Sequence, residues 1–401
     1  MAWNIVFVDD DAGVLEALQR MLRSMRREWR MHFFTRAEDA LTFLKSEPVD
    51  VVVSDMRMPG VDGAEFLAQV KRAYPQVIRI ALSGYADHEM VLRAVRSAHQ
   101  YLAKPCDAET LRGAIVRVRA LQDLLGEPSL RALVAQLEVL PSLPSLYQEI
   151  MQELESEGAS VKRVGEIIAK DLGMTAKILQ LVNSAFFGVS RHVASPAQAA
   201  ILLGLDIIRA LVLSLHIFSQ FHGKNFSEND VSSLWKHSLT TAVYAKTIAE
   251  SEGAERMVCE DAFVAGMLHD VGKLILMQNM PDQTKQAMER SVQTGEPFWL
   301  SETALMGTSH GQVGAYLMGV WGLSDSIVEA LAFHHFPSRC PHRRFSALTA
   351  VHAADFLHYA VAGGPAFQGP RLVDQGYLQE LGVLGRVRQW KEACEGAVGE
   401  A

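Results

Sequence analysis

Between Asn4 and about Leu125, short apolar runs alternate with amphipathic stretches of helical period, and beyond Leu143 the short runs all but stop. A chain divided in this way cannot close around one core. The alternating part demands a doubly wound α/β layer with a parallel sheet, and the remainder demands a helical bundle. Its 401 residues also exceed what one ordinary core holds. The runs predict strands near 4–8, 30–34, 49–54, 77–82 and 100–103, and helices near 12–27, 36–45, 63–73 and 87–97, with another from about 107.

A hydrophobic share of 49% with 21% charged residues describes a soluble, globular chain. The formal net charge of -8 opposes an electrostatic grip on nucleic acid, and the second half offers no helix-turn-helix with a basic recognition helix. Direct DNA binding is therefore not expected. Cys106, Cys259, Cys340 and Cys394 are scattered without a CxxC pair, which fits reduced thiols in the cytoplasm. Trp3 to Val8 has no basic segment leading an apolar one, and the run near Ala210–Leu215 is broken by Ser214 and His216. Neither a signal peptide nor a membrane span is expected.

In doubly wound sheets, ligands bind beyond the carboxyl ends of the strands. Here the first strand ends in Asp9-Asp10-Asp11, the third in Ser54-Asp55 and the fourth in Ser83-Gly84, while the fifth runs into Lys104-Pro105. Carboxylates, a hydroxyl and an ammonium thus converge on one rim. Crowded carboxylates repel one another, and a hard divalent cation such as Mg²⁺ relieves that. A cation, a lysine and a hydroxyl around one aspartate suit phosphoryl transfer onto it. Asp11 reads instead as a helix cap.

Val8-Asp9-Asp10, the run Val53-Ser54-Asp55-Met56-Arg57-Met58-Pro59-Gly60-Val61-Asp62-Gly63, Leu82-Ser83-Gly84 and Tyr101-Leu102-Ala103-Lys104-Pro105 resemble the receiver domain of two-component response regulators. The resemblance implies a flavodoxin-like five-stranded parallel sheet and a cognate sensor histidine kinase as partner. It implies that Asp55 is the phosphoacceptor, and that Asp9, Asp10 and Asp55 hold Mg²⁺ with the backbone carbonyl of Arg57. Ser83 would take the family's hydroxyl role, Lys104 would contact the phosphoryl group, and Tyr101 would be the aromatic switch. Charge added at Asp55 would draw Ser83 and Lys104 inward and vacate space that Tyr101 fills.

Gly126-Glu127-Pro128 stops the last receiver helix, and a second helical run from Ser129 to Leu140 ends at Pro141-Ser142-Leu143-Pro144. The expected organisation is a receiver over 1–125, a helical linker over 126–142, an all-α domain over 143–385 and a tail over 386–401. Helical periods stand at Ser145–Leu154, Val161–Lys170, Thr175–Asn183, Ala197–Leu203 and Ile207–Phe218, with helix ends at Asn183-Ser184 and Leu203-Gly204.

Candidate metal ligands gather from Trp235 onward: His237, His269 with Asp270, His310, His334 with His335, and Asp355. Imidazoles with carboxylates suit Fe, Mn, Zn or Ni better than Ca²⁺, and inward side chains from several helices are a recurrent way to build such a centre. Asp270 could bridge two ions, which would activate water and clamp a phosphate ester. The other histidines, His352 and His358 among them, read as ordinary core or surface residues. Cys340-Pro341-His342 is a loop with weak metal potential.

From about Leu137 to Leu381 the chain resembles an HDOD domain, through Leu143-Pro144-Ser145-Leu146, Leu181 to Gly188, Leu202-Leu203-Gly204-Leu205, Trp235-Lys236-His237-Ser238, Gly266 to Lys273 and Trp321-Gly322-Leu323. HDOD domains are similar to the HD superfamily of metal-dependent phosphohydrolases, which includes the HD-GYP cyclic di-GMP phosphodiesterases. Carried over by residue, the wider resemblance puts His237, His269, Asp270 and Asp355 on one metal. Asp270, His310, His334 and His335 would serve a second, with Lys273 on a substrate phosphate. Two departures matter: Ser233 stands where a dinuclear HD-GYP site would offer a Glu, and Phe336-Pro337-Ser338 follows the histidine pair in place of a Gly-Tyr-Pro loop. Two outputs stay open. One is a phosphorylation-controlled regulatory or protein-interaction module with a mono- or dinuclear transition-metal site, and the other is hydrolysis of a phosphoester such as a cyclic dinucleotide. The downstream partner would be a protein or a signalling nucleotide, and a homodimer is one assembly open to a receiver.

Overall fold

The computed structural model describes residues 2–83, 97–122, 125, 128–135, 137, 140–142, 144–156, 158–183, 193–209, 212, 219–220, 226–362 and 373–398. Five strands, β1 (Trp3–Val8), β2 (Trp29–Phe34), β3 (Val51–Asp55), β4 (Ile78–Ser83) and β5 (Gln100–Ala103), form an all-parallel sheet in the order β2-β1-β3-β4-β5. Val51-Val52-Val53 is buried throughout, as a strand covered on both faces requires. The order reverses between β1 and β3, so the crevice at the carboxyl ends opens beside these two strands. Asp9 follows β1 and Asp55 ends β3.

The first helix was expected to run to residue 27, but it ends at Met21, and Arg23–Arg27 tightens into a 3₁₀ turn that brings Met25 into the core. Asp11 caps the helix as expected, accepting from the Gly13 amide at 2.7 Å. Apart from Ser97, the helix expected at 87–97 lies outside the described residues, as does most of the run expected at Ile207–Phe218, of which Leu205–Arg209 is helical.

The second half is mostly helical rather than all-α: Pro141–Ser142 and Ser219–Gln220 pair as two short parallel strands. The linker helix is Pro128–Ala135 and ends short of Leu140. Leu130 and Val134 are buried, so the connection packs as part of the fold. The central helix Glu228–Ser251 lies against Arg256–Leu268, Ala347–Ala362 and Val387–Val398. Within residues 386–401, read from the sequence as a tail, Val387–Val398 is therefore a packed helix. Trp390 on it is fully buried, and its indole N–H donates to Glu252 at 2.7 Å. Among the described residues, no helix is long and apolar enough to cross a membrane.

Helix Val271–Asn279 meets helix His310–Val320 backbone to backbone at Gly272. A Cβ on Gly272 would lie 1.9 Å from the His310 carbonyl oxygen. Only glycine allows that approach. Gly272→Ala is expected to force the two helices apart at a cost of about 3 kcal/mol, read as a lower urea midpoint of the full chain.

Candidate metal centre and phosphoacceptor pocket

The acidic rim forms as the sequence predicts. Asp9, Asp10 and Asp55 offer oxygens that all lie within 4.8 Å of one another. The Lys104 ammonium lies 2.6 Å from Asp9 Oδ2 and 2.5 Å from Asp55 Oδ1. Three carboxylates against one ammonium leave an excess negative charge of two, which a divalent cation cancels. The Arg57 amide donates to Asp55 Oδ2 at 3.1 Å, and Gly63 passes under the strand end, where a Cβ would sit 2.0 Å from the Asp55 carbonyl oxygen. Ser83 closes β4 opposite Ala103, with its side chain outside what the structure describes. Tyr101 is buried within β5.

Five chain segments deliver the second cluster. His237 comes from helix Glu228–Ser251, and Asp355 from helix Ala347–Ala362. His269 and Asp270 occupy the junction between Arg256–Leu268 and Val271–Asn279. His310 begins its helix, and His334 with His335 follow Asp325–Phe333. Asp270, His310, His334 and His335 bring ligand atoms within 4.8 Å of one another, as do His237, His269 and Asp355. The seven side chains proposed from sequence thus meet in one place.

Asp270 joins the two groups. Its Oδ1 lies 3.1 Å from His310 Nε2, and its Oδ2 lies 3.4 Å from His269 Nε2 and 3.5 Å from His237 Nε2. The Lys273 ammonium, itself 2% exposed, is held 2.6 Å from the same Oδ2. Here Lys273 serves a buried ion pair. Burial opposes the charge on Asp270, but His269, Lys273 and His310 outweigh it and hold the carboxyl well below the usual range.

The outer nitrogens of the rings are anchored. His269 Nδ1 donates to the Gly266 carbonyl at 2.7 Å, and His334 Nδ1 donates to Leu331 at 2.8 Å. His310 Nδ1 meets the Glu302 carboxylate at 2.5 Å, and His237 Nδ1 meets His358 Nδ1 at 2.8 Å. Rings anchored in this way turn Nε2 inward. The Nε2 atoms of His237 and His269 are 3.2 Å apart, and those of His310 and His335 are 2.9 Å apart. Facing lone pairs in a dry interior repel unless a cation or a proton stands between them. His334 Nε2 has no hydrogen-bond partner among the described residues, at 3.9 Å from Asp270 Oδ1. This is the donor set a first-row metal takes.

Burial, despite Asp355 and Asp270 nearby, pushes the His237 pKa down to about 4. It also drives His334 well below the ordinary histidine value, helped by His269 and His310. His310 goes the other way: burial would lower it, but Glu302 and Asp270 raise it. The neutral ring is the ligand form of histidine, and burial favours it at His237 and His334.

Two partners escaped the sequence reading. Glu302, fully buried on Phe298–Met306, orients His310, and His358, read as ordinary, stacks on His237 at 4.8 Å between ring centres. His358 stands one turn after Asp355, a helical spacing that could have flagged it. His352 keeps an ordinary role, with Nδ1 donating to the His334 carbonyl at 2.7 Å.

Burial raises the Asp55 pKa; the Lys104 hydrogen bond opposes this, and Asp9 adds to it. A folded-state value above the unfolded one means that stability falls as pH rises through the folded value. Asp55→Asn removes that charge. In metal-free buffer the variant is expected to have a higher urea midpoint than the parent at neutral pH, with the gain vanishing as pH is lowered.

The response regulator receiver family model matches residues 5–116, and the HDOD domain model matches residues 140–337. The hydrogenase transcriptional regulatory protein HoxA of Cupriavidus necator is 34% identical over 155 residues, which is 38% of this chain and 31% of HoxA. A signal receiver domain of an HD domain-containing protein from Pseudomonas fluorescens is 32% identical, covering 32% of this chain and 100% of that one, with a TM-score of 0.29. The MmoQ response regulator of Methylococcus capsulatus is 23% identical, covering 62% of this chain and 97% of that one, with a TM-score of 0.46. The chain spans less than half the length of the curated relatives it matches, at 45%, 31% and 36% of the first three. Each half meets its own family independently, and the chain belongs to the response regulators, with a receiver domain at 5–116 leading into an HDOD domain at 140–337.

Proposed function

We propose that the protein is a phosphorylation-controlled regulatory module in which Asp55 takes a phosphoryl group from a sensor kinase and the HDOD half, built around a His/Asp metal centre, delivers the output. The observation that carries this reading is the contact between β5 and the helix that supplies His310. Gln100, the first residue of β5, donates from Nε2 to the last two carbonyls of that helix, Val320 at 3.0 Å and Gly319 at 3.3 Å. The opposite end of the same helix begins with His310, about 15 Å away at helical rise. Gln180 donates to the His99 carbonyl at 3.1 Å, and Lys177 stands 5.0 Å over the Trp321 ring. Between the halves lies a cavity of about 600 Å³ lined by Tyr101, Gln100, Arg117, Gln180 and Trp321.

Phosphorylation of Asp55 would pull on Lys104, which follows β5, so the strand that moves is the one that holds the helix. Mg²⁺ would be held by Asp9, Asp10 and Asp55. In the HDOD half, His237, His269, Asp270, His310, His334, His335 and Asp355 would hold one or two first-row transition ions. A bound ion there supplies Lewis acidity and, where a coordination position is open, an activated water. The ligands are almost fully buried, His335 being the most open at an 8% exposed side chain, which favours a regulatory centre over an open active site.

A second reading, hydrolysis of a phosphoester such as a cyclic dinucleotide, draws on Asp270 offering one carboxylate oxygen to each ligand group. Two experiments test these readings. Full-length protein purified without added metal is expected to carry at least one transition ion per chain more than Asp270→Ala carries, and to leave cyclic dinucleotides and generic phosphodiesters intact. Turnover abolished by Asp270→Ala would establish the second reading, and absence of metal from the parent would overturn both. A small phosphodonor is expected to change amide hydrogen exchange along His310–Val320 in the parent and not in Gln100→Ala or Asp55→Asn. An unaltered response in Gln100→Ala would sink the coupling route.

A further inference from the structure

We infer that Glu329, Cys340 and His342 form a separate binding site for a thiophilic divalent cation, zinc being the best match, on the loop that follows the His334-His335 pair. Glu329 lies on helix Asp325–Phe333, while Cys340 and His342 flank Pro341 just after the 3₁₀ turn Pro337–Arg339. The thiol, the carboxylate and the imidazole bring ligand atoms within 4.8 Å of one another. Glu329 points one oxygen at each partner, with Oε2 3.8 Å from Cys340 Sγ and Oε1 2.7 Å from His342 Nδ1.

The chemistry matches the ion. A thiolate, a carboxylate and a neutral imidazole together carry two negative charges, which a divalent cation cancels, and a sulfur–nitrogen–oxygen set selects zinc over Mg²⁺ or Ca²⁺. Bond lengths of about 2.0–2.3 Å to the ion ask for ligand atoms somewhat over 3 Å apart. The Cys340–Glu329 pair is near that spacing. The His342–Glu329 pair is tighter, but the His342 side chain is 59% exposed and free to draw back. Cys340 is only 1% exposed, so the sulfur is presented from inside the fold. Water completes the tetrahedron. Glu329 stands five residues before His334, so this ion would fasten the loop to the helix that carries the histidine pair.

Cobalt(II) added to the full-length, chelator-stripped protein reads the site directly, because thiolate ligation gives a near-ultraviolet charge-transfer band that His/Asp ligation does not. The parent is expected to show this band with the intensity of one thiolate-bound cobalt per chain once both sites are filled, and zinc should displace it. Asp270→Ala, which empties the central cluster, should keep it, which separates this site from that centre. Cys340→Ser should abolish the band, and His342→Ala, altering an exposed ring that the fold does not need, should weaken cobalt binding as read from the band at least ten-fold. A parent that binds cobalt without the band, a band that survives Cys340→Ser, or unchanged affinity in a folded His342→Ala would overturn the assignment and leave an ion-paired loop alone.

Discussion

A carboxylate with no solvent exposure is tolerable only where positive charge compensates it, and Asp270 imposes that condition on the whole helical half. Lys273 answers with an ammonium from one turn along the chain, and His269 on the preceding residue sets a ring nitrogen 3.4 Å from the same oxygen, ready to share a cation with it. His310 must come from another helix, and that helix reaches it only because Gly272 gives the backbones room to touch. Removing the charge alone would leave an ammonium buried beside several imidazoles, so no single member can be exchanged without disturbing the others. The core here is arranged around a charge.

The receiver follows a simpler logic. Its functional groups sit at the ends of neighbouring strands, where parallel pairing brings residues far apart in sequence onto one rim. Asp9, Asp55 and Lys104 need only correct strand order to meet, and the order β2-β1-β3-β4-β5 provides it. This is why the pocket was legible from the chain alone: strand ends are marked by the change from apolar to charged residues.

Legibility fails where contact is set by packing rather than by local pattern. His269, Asp270 and the His334-His335 pair announced themselves as adjacent ligand types. Glu302 did not, because nothing in its own stretch distinguishes a carboxylate that orients His310 from one in water. The 3₁₀ ending of the first helix, the short Pro141–Ser142 strand and the burial of Trp390 depend likewise on neighbours distant in sequence. Trp390 and Cys394, one turn apart and both buried, did carry a helical-face signal within the stretch read as a tail. The Gln100 contact, spanning more than two hundred residues, carried none.

The two acceptors that Gln100 engages are main-chain carbonyls, present whatever side chains occupy positions 319 and 320. The join between the halves is therefore insensitive to most substitutions along that helix and sensitive to its length. One residue inserted or deleted between 310 and 320 would turn the terminal carbonyls by about 100° relative to the histidine at the other end. Side chains along the helix answer to the core packed around them, while its residue count answers to the contacts at its two ends.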